Sequence, residues 1–160
     1  MLVVAPFACY ARLWLNMLDG MVALASGVAS ERGEIVNELP DRISDILIFT
    51  AVAHSGFVAL PALAYWAALL AVMTAYVGML GQAVGARREF GGVMAKPMRM
   101  VVLHAGAWAT FAMLYLRGGD ATVLAGFTAL DLACLAVILG CLQTCIVRLR
   151  STFKLLEKES

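Results

Sequence analysis

Charge is scarce in this chain. Only 14% of its 160 residues are Asp, Glu, Lys or Arg, against 62% apolar. A soluble domain of this length needs far more polar surface. The few charges nearly cancel, to a formal net of +1. No Lys/Arg block is interleaved with aromatics, so the chain lacks both the field and the stacking platform of a nucleic-acid binder. Cysteine occurs four times, at Cys9, Cys134, Cys141 and Cys145. None falls in a CxxC or CxxH pattern, which removes the usual zinc and redox signals. All four lie in apolar runs and read as small packing residues of membrane helices, Cys141 and Cys145 sharing a face one turn apart. A basic n-region is missing as well, since the apolar start runs straight into Arg12 and Asp19, so no cleavable signal is expected. The period-two alternation of a membrane barrel is also absent.

Long apolar runs are what the chain has in quantity, with a mean hydropathy of +0.88. Crossing a hydrocarbon core takes about 20 mostly apolar helical residues. Five stretches qualify: roughly 2–29, 34–54, 57–85, 98–116 and 121–147. Helices satisfy their own backbone in lipid, so the expected fold is all-α, a polytopic bundle of about five membrane helices. It forms one transmembrane domain over residues 1–148, followed by a basic tail at 149–160. That tail reads equally well as a solvated end or as an interfacial amphipathic helix with Leu149, Phe153 and Leu156 on one side.

Loop charges orient the bundle. Arg32, then Arg87, Arg88, Lys96 and Arg99, then Arg148, Arg150, Lys154 and Lys158 all fall at one end. The positive-inside rule places that end, with the C-terminus, in the cytoplasm of a cell (inner) membrane.

Ionisable residues within membrane spans are costly, and each is a functional candidate. Here they are ordered. Asn16, Asp19, Gly20 and Ala23 follow helical spacing on the first span; Gly33, Asn37, Asp41 and Asp45 step by four along the second. Two polar stripes at adjoining helix ends can converge on one oxygen-rich volume. Such donors suit Mg²⁺, Mn²⁺ or Ca²⁺, and without His or Cys they disfavour zinc. Divalent cations at a membrane surface commonly neutralise phosphates, which points to phosphoryl transfer.

The run DGMVALASGVASERGEIVNELPD resembles the signature of the CDP-alcohol phosphatidyltransferases. Asp19-Gly20 matches its second aspartate and glycine, Ala23 its alanine, Gly33 its later glycine and Asp41 its fourth aspartate, while Ser30 stands where members often carry Ser or Thr. The chain departs from the pattern at Asn16 and Asn37, in place of aspartates, and at Leu24, in place of an arginine. The resemblance implies a divalent cation, Mg²⁺ or Mn²⁺, held by Asp19, Asp41, Asn16 and Asn37. It implies nucleotide contacts from Asp19, Gly20, Ala23, Ser30 and Gly33, and Asp41 or Asp45 as the base for an acceptor alcohol. Arg87, Arg88, Lys96 and Arg99 would receive an anionic acceptor through charge-assisted bonds. CDP-diacylglycerol would be the donor, a small alcohol the acceptor and CMP the product. A homodimer in membrane lipid is also implied. Members carry six helices with the signature on the second and third; here it falls on the first and second, as though one leading helix were missing.

Blander readings stand beside these. An Asp-Gly pair commonly marks a turn; Asn16 and Asn37 can simply bond helices together; Asp45 can pair with Arg42 for topology. Pro40 is a candidate kink in the second span. Asp131 reads as a buried acid bonded to a hydroxyl or facing a polar cavity, and His54 and His104 read as interfacial residues. Gly81 and Gly85 form a GxxxG, read as close helix packing. Two further functions fit the same residues: a non-catalytic relative that binds nucleotide or headgroup or supports an assembly, and a small transporter with an acidic ion path.

Overall fold

The computed structural model describes residues 2–25, 31–86 and 91–159, with backbone alone for 13, 16, 17, 19, 20, 22–25, 31, 32, 34, 36, 37, 158 and 159. Five helices account for most of it: α1 (Val4–Ala25), α2 (Glu31–Ala53), α3 (Pro61–Ala83), α4 (Lys96–Leu116) and α5 (Ala129–Glu159). Helix α5 packs against both α3 and α4, α2 packs against α3, and α1 against α4. Among the described residues, α3, α4 and the stretch Ala129–Glu157 of α5 are long and apolar enough to cross a membrane, with mean hydropathies of 1.8, 1.3 and 2.2. The all-α polytopic expectation holds.

Small residues decide how closely these helices approach. The buried stripe of α3 is Ala64, Ala67, Ala68, Ala71, Ala75 and Gly78, a spacing that keeps one narrow face toward the bundle. Gly106 of α4 meets α5 so closely that a Cβ there would lie 2.5 Å from the Cβ of Ala133. Larger residues fill what remains, with Phe49, Leu103, Leu130 and Val137 nearly free of exposure. All four cysteines are free thiols, and Cys134 and Cys141 are buried in this core, in agreement with their packing role. Trp14, Leu47, Trp66, Leu69 and Leu139 point outward, as lipid-facing side chains do.

The GxxxG reading of α3 needs correcting. Gly81 does pack closely, its absent Cβ position lying 2.9 Å from Thr152 Oγ1 of α5. Gly85 has a φ of 89° and open space around it, and it sits past the helix end. There its amide donates to Gln82 O, and the amide of Ala86 donates to Gly81 O, the paired bonds of a Schellman ending. Gly85 supplies a left-handed turn.

The fifth span also starts later than residue 121. Thr122–Leu124 (β1) and Phe127–Thr128 (β2) form a short antiparallel hairpin. It turns on Ala125 and Gly126, both at positive φ, the backbone hand that matches strand twist. The Thr122 hydroxyl and amide bond to Asp120 and hold its carboxyl below the ordinary range. Helix α5 then runs without a break for 31 residues, about 46 Å at 1.5 Å per residue. Residues 149–159 are therefore its continuation, and Thr152 there is buried against Gly81.

The lone acid of α5 joins two helix starts. Thr128 and Asp131 form a capping box: the Thr128 amide and hydroxyl donate to Asp131 Oδ2 at 2.9 and 2.8 Å, and the Asp131 amide donates to Thr128 Oγ1 at 3.2 Å. The same carboxylate accepts the amides of Ala59 and Leu60 at 2.9 and 3.1 Å, which pins the start of α3. Asp131 is thus structural. His54 is exposed and shares a 2.7 Å hydrogen bond with the Tyr65 hydroxyl. His104, read as interfacial, is instead buried against Tyr10, with ring centroids 4.4 Å apart.

Candidate active site

The opposite end of the bundle gathers most of the remaining charge. Helix α2 passes unbroken through Pro40; its carbonyl accepts the Ser44 hydroxyl at 2.7 Å and Arg12 of α1 at 3.2 Å. One residue on stands Asp41, and Asp45 follows a turn later on the same face. Asp41 pairs with Lys96, the first residue of α4, and with Arg12 Nη2 at 3.4 Å. Asp45 is buried, and its Oδ2 lies 2.8 Å from Arg99 Nη2 and 3.6 Å from Arg42 Nη1.

Two arginines meet at Thr74, a buried hydroxyl in the apolar run of α3. Arg99 Nη1 donates to Thr74 Oγ1 at 3.0 Å and to Met94 O at 3.2 Å. Arg148 of α5 donates through Nη1 to Thr74 O at 2.6 Å and through Nε to Gly91 O at 3.0 Å. The segment that leads into α4 is pinned to α5 as well. Met94 N donates to Thr144 Oγ1 at 3.0 Å, and Val93 N donates to Gln143 Oε1 at 3.3 Å. Gly92, at a φ of 109°, lies directly against Thr144, where a side chain would collide. This clasp delivers Lys96 and Arg99 to the site.

Together these groups surround a cavity of about 230 Å³, large enough for a small phosphorylated molecule but open on one side. Glu38, Asp41 and Arg42 line it from α2, Thr74 from α3, Lys96 and Arg99 from α4, and Arg148 from α5. Among the described residues, five cationic side chains (Arg12, Arg42, Lys96, Arg99, Arg148) face three carboxylates (Glu38, Asp41, Asp45) within and beside it. Such a cluster of cations, Arg99 and Arg148 buried and the others half-buried, suits an anionic ligand in a membrane protein.

Of the residues singled out from sequence, Asp41, Asp45, Lys96 and Arg99 are brought together here. Gly33 is exposed on α2, two turns before Asp41. Asn16, Asp19, Gly20, Ala23, Leu24 and Asn37 lie on α1 and α2 with side chains outside the described residues, and Ser30, Arg87 and Arg88 lie outside them altogether. Among the described residues, no three His, Cys, Asp or Glu side chains converge as a metal site. The donor chemistry of the expected set is nonetheless all oxygen, and Asp41 presents its carboxylate at the cavity, so a hard cation fits that position chemically.

Sequence reasoning missed Arg12, Thr74 and Arg148 as site residues. Arg12 carried a usable signal, being a cation inside an apolar run. Arg148 follows an apolar run, the usual place for a residue that marks the membrane edge, so its sequence position suggests topology alone.

No family model matches the chain. The Escherichia coli (strain K12) inner membrane protein YnbA is 29% identical over 114 residues, 69% of this chain and 53% of YnbA, so the chain spans about half the length of that relative. The crystal structure of the phosphatidylinositol phosphate synthase of Mycobacterium tuberculosis, with CDP-DAG bound, superimposes with a TM-score of 0.72. It covers 95% of this chain and 74% of that one, at 18% identity. The fold of that synthase, a helical membrane-protein fold, is therefore shared over nearly the whole chain.

Proposed function

We propose that this protein transfers a phosphatidyl group from CDP-diacylglycerol to the hydroxyl of a small anionic alcohol and releases CMP. The observation that carries the reading is the placement of Asp41 at the edge of a cavity whose other walls hold Lys96, Arg99 and Arg148. An alcohol bearing a phosphate would seat that group on the arginines and lysine, leaving its hydroxyl toward Asp41. Its oxygen attacks the phosphatidyl phosphorus as the proton passes to Asp41; the bond from that phosphorus to the CMP oxygen breaks, and CMP leaves with the electron pair. Positioned proton acceptance of this kind contributes about 10²- to 10⁴-fold.

Mg²⁺ or Mn²⁺ would be held by Asp41 with Asp19, Asn16 and Asn37, where it would supply charge neutralisation for the donor pyrophosphate. Gly20, Ala23, Ser30 and Gly33 belong to the nucleotide side of the same proposal. We place the cavity and the end of α5 in the cytoplasm, since Lys96, Arg99, Arg148, Arg150 and Lys154 cluster there.

The test is CMP release by purified protein in vesicles containing CDP-diacylglycerol and Mn²⁺, with a phosphorylated polyol as acceptor. Release that stops in Asp19→Asn and Asp41→Asn supports the proposal; no CMP with any polyol, amine or phosphorylated polyol rejects it. One observation favours a second reading, a non-catalytic binder: Asp41 is already neutralised by Lys96 and Arg12. CDP or CMP binding without turnover would identify it.

A further inference from the structure

We infer that Asp45, which does not itself line the cavity, is a positioning residue that holds Arg99 and Arg42 in place for a phosphate group. The inference rests on the anionic-acceptor reading of this site. Asp45 and Arg99 are 1% and 2% exposed, so neither is an ordinary surface charge. A single oxygen of Asp45 serves guanidinium groups from two helices, Arg99 of α4 at 2.8 Å and Arg42 of α2 at 3.6 Å, and both arginines line the cavity.

The bonding is deliberately incomplete by the standards of a stabilising ion pair. A buried pair built for stability closes as two parallel bonds and satisfies what remains. Here, among the described residues, Asp45 Oδ1, Arg99 Nε and Arg42 Nε have no hydrogen-bond partner. Arg99 spends Nη2 on Asp45 and Nη1 on Thr74 and Met94, which fixes the plane of the guanidinium. Arg148 is tied to the carbonyl of the same Thr74. Two guanidinium groups are thus oriented around one residue before any ligand arrives. Their ordering cost is met in folding, so a tetrahedral oxyanion that enters the cavity meets cationic groups already held in place.

Inorganic phosphate is the probe. Full-length protein in detergent is titrated with phosphate while its thermal unfolding is followed, and in parallel KM is measured for CDP-diacylglycerol and for a phosphorylated acceptor. In Asp45→Asn the half-saturating phosphate concentration should rise about tenfold or more. Acceptor KM should rise with it while KM for CDP-diacylglycerol stays at the wild-type value, and Asp45→Glu should recover part of the loss. A wild-type phosphate titration in Asp45→Asn overturns the positioning role alone. No phosphate response in the wild type overturns the anion site and this inference with it, whereas CMP release from CDP-diacylglycerol tests the transferase separately. Should Asp45→Asn fail to fold, the double variant Asp45→Leu/Arg99→Met replaces the buried pair by apolar groups, a change such sites tolerate. It should fold and lose the phosphate response; keeping the response also overturns the inference.

Discussion

Two buried carboxylates at opposite ends of the bundle are bonded in opposite ways. Asp131 accepts from neutral donors on both oxygens: three backbone amides and a hydroxyl, all within 2.8 to 3.1 Å. Asp45 faces two guanidinium groups through one oxygen, and its other oxygen has no hydrogen-bond partner among the described residues. The first arrangement saturates a charge with the fixed dipoles of two helix starts, which holds α3 and α5 together. The second keeps long cationic side chains in place beside a cavity while leaving hydrogen-bonding capacity over. A carboxylate satisfied by backbone is architecture; one that shares arginines with a cavity is part of a site.

Substitutions can break that contrast. The largest effect should come from Asp41→Asn at the charged end: CMP release falls about 10²- to 10⁴-fold with thermal unfolding close to wild type, as measured in the same detergent preparation. Equal losses of activity and stability would erase the distinction between the two ends. Next, Asp131→Ala orphans four donors and should cost about 3 kcal/mol of stability, read as lowered thermal unfolding. The fraction that stays folded should retain its KM for the acceptor. A smaller effect is expected from Lys96→Met, which removes one charge-assisted contact and should raise acceptor KM about tenfold without moving KM for CDP-diacylglycerol. The smallest belongs to His54→Phe: its bond to Tyr65 is exposed, so stability should stay within about 0.5 kcal/mol and turnover should not change.

Much of this contrast was legible before any coordinates. Apolar runs of spanning length announced the five helices, and the step of four from Gly33 to Asp45 placed Asp41 and Asp45 on one face. Lys96 and Arg99 stood out as basic residues beside an apolar run. Thr74 did not, because one hydroxyl inside a membrane helix ordinarily bonds back to its own turn, as Thr74 also does to Ala71 O at 2.8 Å. Its second role depends on which helices stand beside it. The hairpin at Thr122–Thr128 is hidden because its short strands, Val123, Leu124 and Phe127 among them, are as apolar as the start of α5 that follows.

Local chemistry therefore determined what each segment had to be. Apolar length required helices in lipid, and periodicity alone set the polar face of α2. Only the tertiary structure decided which charges meet. Arg12, Lys96, Arg99 and Arg148 come from three different helices; the last three converge through the small-residue contacts of α3, α4 and α5, the Gly92–Thr144 clasp and the Asp131 caps, and Arg12 through the packing of α1 on α4. Those contacts depend on side-chain volume across helix interfaces, and no spacing along a single chain encodes which interface will form.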